Sequence, residues 1–204
     1  MKNKKNILIA MTLSIFIVSC DALIEKKDNT SNVTPSPSAS VSPALEKPKE
    51  EAPKPVNIDD FIQKYSAVSK PEDIPKMFLD AIHGYFDPSK KERSAAIIGI
   101  LINAPSWETQ AGSLSFFRMK LADMQYIFRS YAKGSSPENN YQMDSNNYEI
   151  EITKSEIVDA NTQKIFIKSS GADSPRPITL KKDKSGLWTV YEFSSLYVDV
   201  RKPA

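Results

Sequence analysis

The sequence predicts an α+β domain, with N-terminal helices packed on one face of a C-terminal antiparallel β-meander. Three observations predict it. Apolar residues recur at helical spacing between Ile58 and Leu121. From Tyr148 onward they alternate with polar residues at period two. A proline-rich stretch ends near residue 56, leaving residues 57–204 for the fold. Those 148 residues make one domain by length. A domain of that size buries about 68–70% of the unfolded chain's surface.

The helices follow in order. Asn57 caps a short helix whose apolar face is Ile58, Phe61, Ile62, Tyr65 and Val68. Asp59 and Asp60 fall in its first turn, where negative charge favours the helix N-terminus. A second helix begins between Pro71 and Pro75. Its face is Ile74, Met77, Phe78, Ala81, Ile82, Tyr85 and Phe86. Asp87-Pro88 restarts the chain in N-cap and N1 geometry. The third helix, to Ile102, ends apolar nearly all round (Ile97, Ile98, Ile100, Leu101, Ile102), which predicts a buried end. Asn103-Ala104-Pro105 stops it. Ser113 caps a fourth helix that uses Leu114, Phe117, Leu121 and Met124. Residues 126–132 fit either a continuation of that helix or the first strand.

Strands are expected where Tyr148, Ile150 and Ile152 alternate with Glu149, Glu151 and Thr153. Further strands are expected over residues 164–169, 176–181 and 187–193, with turns at 159–162 and Lys184-Ser185-Gly186. Residues 196–200 are read as a fifth strand.

Composition narrows the function classes. Net charge is +2 over the chain. Lys2, Lys4 and Lys5 stand at the N-terminus, and residues 21–56 hold one more acid than lysine, so the domain is near neutral. That argues against nucleic acid as a partner. One histidine and one cysteine leave Ser-His-Asp, Cys-His and zinc schemes without their groups. No phosphate loop, dinucleotide fingerprint or calcium loop occurs. No catalytic residue, metal ligand or cofactor is assigned from the sequence, and a non-enzyme is expected.

The most informative single residue is Cys20. A basic n-region, an apolar stretch over residues 7–18 and Ile17-Val18-Ser19-Cys20 precede the rest of the chain. The apolar run is too short to span a bilayer and reads as a signal peptide. Its end resembles the lipobox of bacterial lipoproteins, with Ile17 and Ser19 at positions where Leu and Gly or Ala are usual. The resemblance implies a signal peptide over residues 1–19, cleavage after Ser19 and a lipid thioether on Cys20. The mature protein would then be held to a membrane on the extracytoplasmic side of a bacterial envelope by two or three acyl chains, enough for stable anchoring. It leaves open whether that is the inner membrane, the outer membrane or the cell surface.

Residues 20–56 read as the lipidated cysteine followed by a tether. Six prolines and a Ser/Thr/Pro/Ala-rich core prevent burial of enough apolar surface to fold. A flexible coil of that length spans roughly 30–35 Å. Its expected role is to hold the domain off the membrane.

From about residue 71 the chain resembles an uncharacterised family of bacterial secreted and lipoprotein domains. The residues that carry this are Ser130-Tyr131, Gly134, Pro137-Glu138-Asn139-Asn140-Tyr141 and Gly171-Ala172-Asp173-Ser174-Pro175-Arg176, with Trp188 and Arg201-Lys202-Pro203. Members often have phenylalanine and Gly-Ala-Thr where this chain has Ala132 and Gly134-Ser135-Ser136. The resemblance implies the domain's extent and an extracytoplasmic setting, and brings no activity. At fold level the order of helices then meander is similar to NTF2-like and cystatin-like folds, an analogy that licenses no function.

Candidate ligand-binding residues are Asp173 and Arg176, with Asn139, Asn140 and Tyr141. Arg176 lies between Pro175 and Pro177, which restrict its backbone on both sides. A guanidinium on a stiff loop suits a carboxylate or phosphate. The structural alternative is that Arg176 pairs with Asp173 or another acid and fixes a hairpin. Asn139, Asn140 and Tyr141 offer amides and a phenol to a sugar or peptide, or are ordinary turn chemistry. His83 lies beside an apolar helix face and reads as structural. Trp107 either covers the core or lines a groove, and Trp188 reads as core. The leading expectation is a non-catalytic envelope module that binds a protein or a small polar ligand. A hydrolase built on facing carboxylates, Glu149 and Glu151 among them, and a purely structural lipoprotein are the alternatives.

Overall fold

A computed structural model describes residues 56–204. The predicted leader, Cys20 and all of the tether but its last residue lie outside the described residues. Among these residues the helices are α1 (Asp59–Ser66), α2 (Ile74–Tyr85), α3 (Lys91–Leu101), α4 (Ser113–Asp123) and α5 (Tyr126–Arg129). The strands are β1 (Ile152–Asp159), β2 (Thr162–Ile167), β3 (Arg176–Lys182) and β4 (Trp188–Glu192). They form one antiparallel sheet in the order β1-β2-β3-β4, the expected α+β arrangement with a C-terminal meander. No helix among the described residues is long and apolar enough to cross a membrane.

One face of the sheet is the floor of the core. Ile165 pairs with Ile178, and Leu180 with Val190. Ile165, Ile167, Ile178, Leu180 and Val190 are all buried and join Ile74, Phe78, Ile82, Ile98, Phe117 and Phe128 from the helices in one cluster. Each such side chain contributes about 1.5–3 kcal/mol by leaving water. α2 packs against both α3 and β4, because its apolar stripe covers most of its circumference. β1 forms one edge of the sheet, with Ile157 82% and Val158 60% exposed.

Helix ends follow local chemistry. Asn57 accepts the Asp59 N–H at 3.0 Å, though Ile58 holds the N-cap position one residue later than expected. α3 ends with Asn103 at φ 51°, its N–H bonded to Ile100, and Ala104 N bonded to Gly99 O at 2.8 Å. That 6→1 bond and left-handed residue form a Schellman stop. Asp87-Pro88 does not start α3. The Asp87 carboxylate instead closes a turn on Ser89 N at 3.0 Å and Oγ at 2.7 Å, and the helix begins at Lys91. Ser113 is likewise the first helical residue and not the cap. Gly112, at φ 90°, takes that place, a conformation open to glycine. Residues 126–129 resolve to the short helix α5.

Two strand expectations change. Residues 148–151 join no ladder, and β1 starts at Ile152. Glu149 O accepts Lys133 N, a turn partner, at 2.9 Å. Tyr148 and Ile150 still face the core, so the alternation recorded burial and not pairing. The expected fifth strand, residues 196–200, does not form: Leu196 and Tyr197 end a 3-10 turn, Ser194–Tyr197, and residues 198–200 join no ladder. Phe193, Leu196 and Tyr197 are all buried, a spacing that suits a tight turn and not period two. Trp107 is core, 1% exposed, with Nε1 donating to Ala95 O at 2.9 Å. Trp188 is half-buried, and its carbonyl accepts the Tyr65 hydroxyl at 2.7 Å.

Candidate functional site

The segments singled out in the sequence converge on the C-terminal tail. Asn139 lies in the turn Pro137–Asn139, where its Oδ1 accepts Ser136 N at 2.8 Å and Ser136 Oγ accepts Asn139 N at 3.3 Å. Its Nδ2 donates to Gly134 O at 2.8 Å. Asn140 and Tyr141 both take left-handed backbone, φ 54° and 53°. Tyr141 is fully buried, donates its hydroxyl to Arg201 O at 2.8 Å and stacks on Tyr126 at 5.8 Å. Arg201 N donates to Gly171 O at 2.8 Å, and Ala204 N to Pro137 O at 3.0 Å. Arg176 Nη2 donates to Asp199 O at 3.1 Å, and its buried Nε has no partner. The structural partner of Arg176 is thus a carbonyl and not Asp173. Asn139, Tyr141 and Arg176 turn their polar groups onto the chain's own backbone, whereas Asp173 and Asn140 stay exposed.

A cleft of about 810 Å³ opens elsewhere. α2 and the residues just after it supply His83, Phe86 and Asp87, α5 supplies Arg129, and the segment after the Asn139 turn supplies Gln142, Met143 and Ser145. Asn139 lies at its border and is the one expected site residue that lines it. The volume is that of an ordinary small-molecule site.

Two features give the cleft its chemistry. His83 is 6% exposed, packed edge-on against Phe86 at 5.9 Å and Tyr148 at 5.1 Å, and its Nε2 has no hydrogen-bond partner. Burial pushes its pKa down to about 4, against the pull of Asp80 and with help from Arg129 and Lys76, so the imidazole is neutral at pH 7. Arg129 is half-buried and makes one side-chain hydrogen bond, Nη2 to Gln125 Oε1 at 3.1 Å. Its guanidinium forms no ion pair with an acid among the described residues. Asp87, the one acid in the lining, is held by Ser89 and by Lys90 at 3.5 Å, and those hydrogen bonds lower its pKa.

A smaller cavity of about 280 Å³ lies between α1, α2 and α3 and holds two acids, Asp60 and Asp80. Both are paired, Asp60 with Arg93 at 2.6 Å and Asp80 with Lys76 at 2.5 Å. Hydrogen bonding to Arg93 holds the Asp60 pKa below the usual carboxylate range. On the sheet side, Glu149 pairs with Lys133 at 2.7 Å and Glu151 with Lys168 at 3.2 Å. Among the described residues no three His, Cys, Asp or Glu side chains are grouped to hold a metal.

A family model described as "Domain of unknown function (DUF6935)" matches residues 53–204. The chain belongs to this family. No curated protein and no solved structure matches it. The DUF6935 domain accordingly coincides with the described fold, and both the clasp on the C-terminal tail and the cleft lie inside it. Of the cleft residues, Arg129, Gln142, Met143 and Ser145 carry no signal in the sequence. Arg129 stands in the stretch whose secondary structure was ambiguous, and the other three stand in a polar segment without periodicity.

Proposed function

We propose that this chain is a lipid-anchored protein of a bacterial envelope, acylated on Cys20, whose DUF6935 domain binds a small polar ligand without transforming it. The cleft bordered by α2, α5 and residues 139–145 is the binding site in this reading. The observation that carries it is a small-molecule-sized cleft lined by a cation without an acid partner and a buried imidazole nitrogen without any partner. Buried polar atoms in folded proteins are nearly always satisfied, and one left open beside a cavity suits a ligand that completes it. The non-catalytic part of the reading is supported by the paired state of the acids. A carboxylate hydrolase needs an acid kept protonated by a raised pKa. Asp60, Asp87 and Glu149 instead have lowered ones, from hydrogen bonds to Arg93, to Ser89 and to Lys133 respectively.

The test uses the full chain in detergent and a chemically broad set of small polar compounds read by thermal shift. Stabilisation by a compound that Arg129→Gln abolishes supports the cleft. No stabilisation by any member of the set removes the small-ligand reading and returns the choice to a protein partner. The anchor is tested separately by fractionating cells that carry Cys20→Ser. Loss of fatty-acid incorporation with release from the membrane fraction is expected, and unchanged incorporation would overturn acylation at Cys20.

A further inference from the structure

We infer that the ligand of the cleft carries an oxyanion, a carboxylate or a phosphate, that seats on Arg129 beside His83. This rests on the reading of the cleft as a binding site. A guanidinium has five N–H donors in a planar fork. Arg129 uses one of its groups on Gln125 Oε1 at 3.1 Å, and no acid of the described residues stands within ion-pair distance of the rest. The fork geometry matches two oxygens of one anion. Partial burial reduces screening by solvent, so a single anion gains more here than on an open surface.

The rest of the lining agrees with that polarity. His83 also lines the cleft, and its Nε2 is buried and unpartnered. A neutral imidazole places no charge of its own beside the anion, so Arg129 sets the polarity of the cleft. Gln142 and Ser145 make no side-chain hydrogen bond among the described residues, and both are exposed at the mouth. Asp87 is the competing charge. Its carboxylate is held by Ser89 and Lys90, which keeps it off Arg129. Phe86 and Met143 provide the apolar wall, so the fitting ligand is a small oxyanion with a short apolar body.

The experiment is a titration of the isotopically labelled full chain in detergent, followed by the amide signals of Arg129, Gln142 and Ser145. Three probes are used: butyrate, its uncharged analogue butyramide, and inorganic phosphate. Saturable shifts with butyrate or phosphate are expected, with butyramide at least tenfold weaker. Arg129→Gln is expected to weaken the anion at least tenfold, and Arg129→Lys, which keeps the charge and loses the fork, by less. Because Arg129→Lys preserves charge and bulk, it keeps the test valid if Arg129→Gln does not fold. Butyrate alone assigns a carboxylate and phosphate alone a phosphate, and either supports the inference. Butyramide binding as tightly as butyrate, in wild type and variant alike, overturns the oxyanion and leaves the cleft reading standing. No shift at these amides with any probe overturns both.

Discussion

Gly171 lies directly against the hydroxyl of Tyr141, so closely that a Cβ on Gly171 would collide with that oxygen and stand 3.1 Å from Tyr141 Cζ and 2.6 Å from Val200 Cγ1. The contact joins two loops thirty residues apart, and the same tyrosine holds the C-terminal tail through Arg201 O at 2.8 Å. Gly171→Ala therefore forces a buried aromatic or the tail to move. A loss of about 2–3 kcal/mol is expected, in the range of overpacked cores. Tyr141→Phe removes the hydrogen bond and costs about 1 kcal/mol. It also removes the atom nearest the new methyl group, so the double variant should lose less than the sum. Denaturant unfolding of the four proteins measures that coupling, and strict additivity would place the strain elsewhere.

Gly84 makes a contact of different kind. A Cβ there would meet Ser94 Oγ on α3, while Ser94 Cβ stays at 3.4 Å. A hydroxyl swings away by rotation about one bond, whereas the Gly171 neighbours are a buried ring and a tail side chain. Alanine also favours a helix over glycine by about 0.5–1 kcal/mol. Gly84→Ala should thus leave stability within about 1 kcal/mol of wild type in a thermal melt. A loss as large as that of Gly171→Ala would mean α2 and α3 cannot adjust at this crossing.

His83 makes stability depend on pH. Its folded pKa, about 4, lies below the ordinary 6.5, so the unfolded chain binds more protons between those values. Stability then rises with pH across that window. The contribution is complete above about pH 6.5, falls as the solution is acidified, and stops changing near pH 4. Between pH 7 and pH 5 the loss is on the order of 2 kcal/mol. Urea unfolding at the two pH values measures it, and His83→Phe should flatten the difference. An equal slope in that variant would assign the dependence to other groups.

Trp107 links α3 to the loop that follows it. Its indole N–H donates to Ala95 O at 2.9 Å, and its ring packs on Phe117 and Tyr85 at 5.6 and 5.4 Å. Trp107→Phe removes the bond and part of the volume, leaving the Ala95 carbonyl and a void. About 2–3 kcal/mol of stability should be lost, read from the denaturation midpoint. A loss below about 1 kcal/mol would mean the loop collapses onto the vacancy.

The helical faces were legible where burial has a period. Ile74, Met77, Phe78, Ala81 and Ile82 mark the buried stripe of α2 because one side of a helix faces the core whatever lies opposite. The same holds for Ile165 and Ile167 on β2 and for Ile178 and Leu180 on β3. Helix starts were less legible. Asp87 and Ser113 have the right side chains for caps, yet a carboxylate can close a turn equally well and Gly112 reached the required backbone first. The expected fifth strand, 196–200, is absent because Leu196 and Tyr197 are adjacent buried residues of a 3-10 turn, a spacing that period two does not give.

Local chemistry, read along the chain, was enough for the α+β class and for helices preceding strands, because those depend on side-chain periodicity and turn residues within a few positions. The family resemblance carries Gly171, Tyr141 and Arg201, and Tyr141 reads from the sequence as a candidate ligand contact. Tertiary structure decided that these residues clasp one another, that Tyr141 faces inward, and that Arg129 stands beside His83 with no acid against it. Such relationships join residues tens of positions apart. They arise from how packed elements meet in space, and no short-range pattern encodes that.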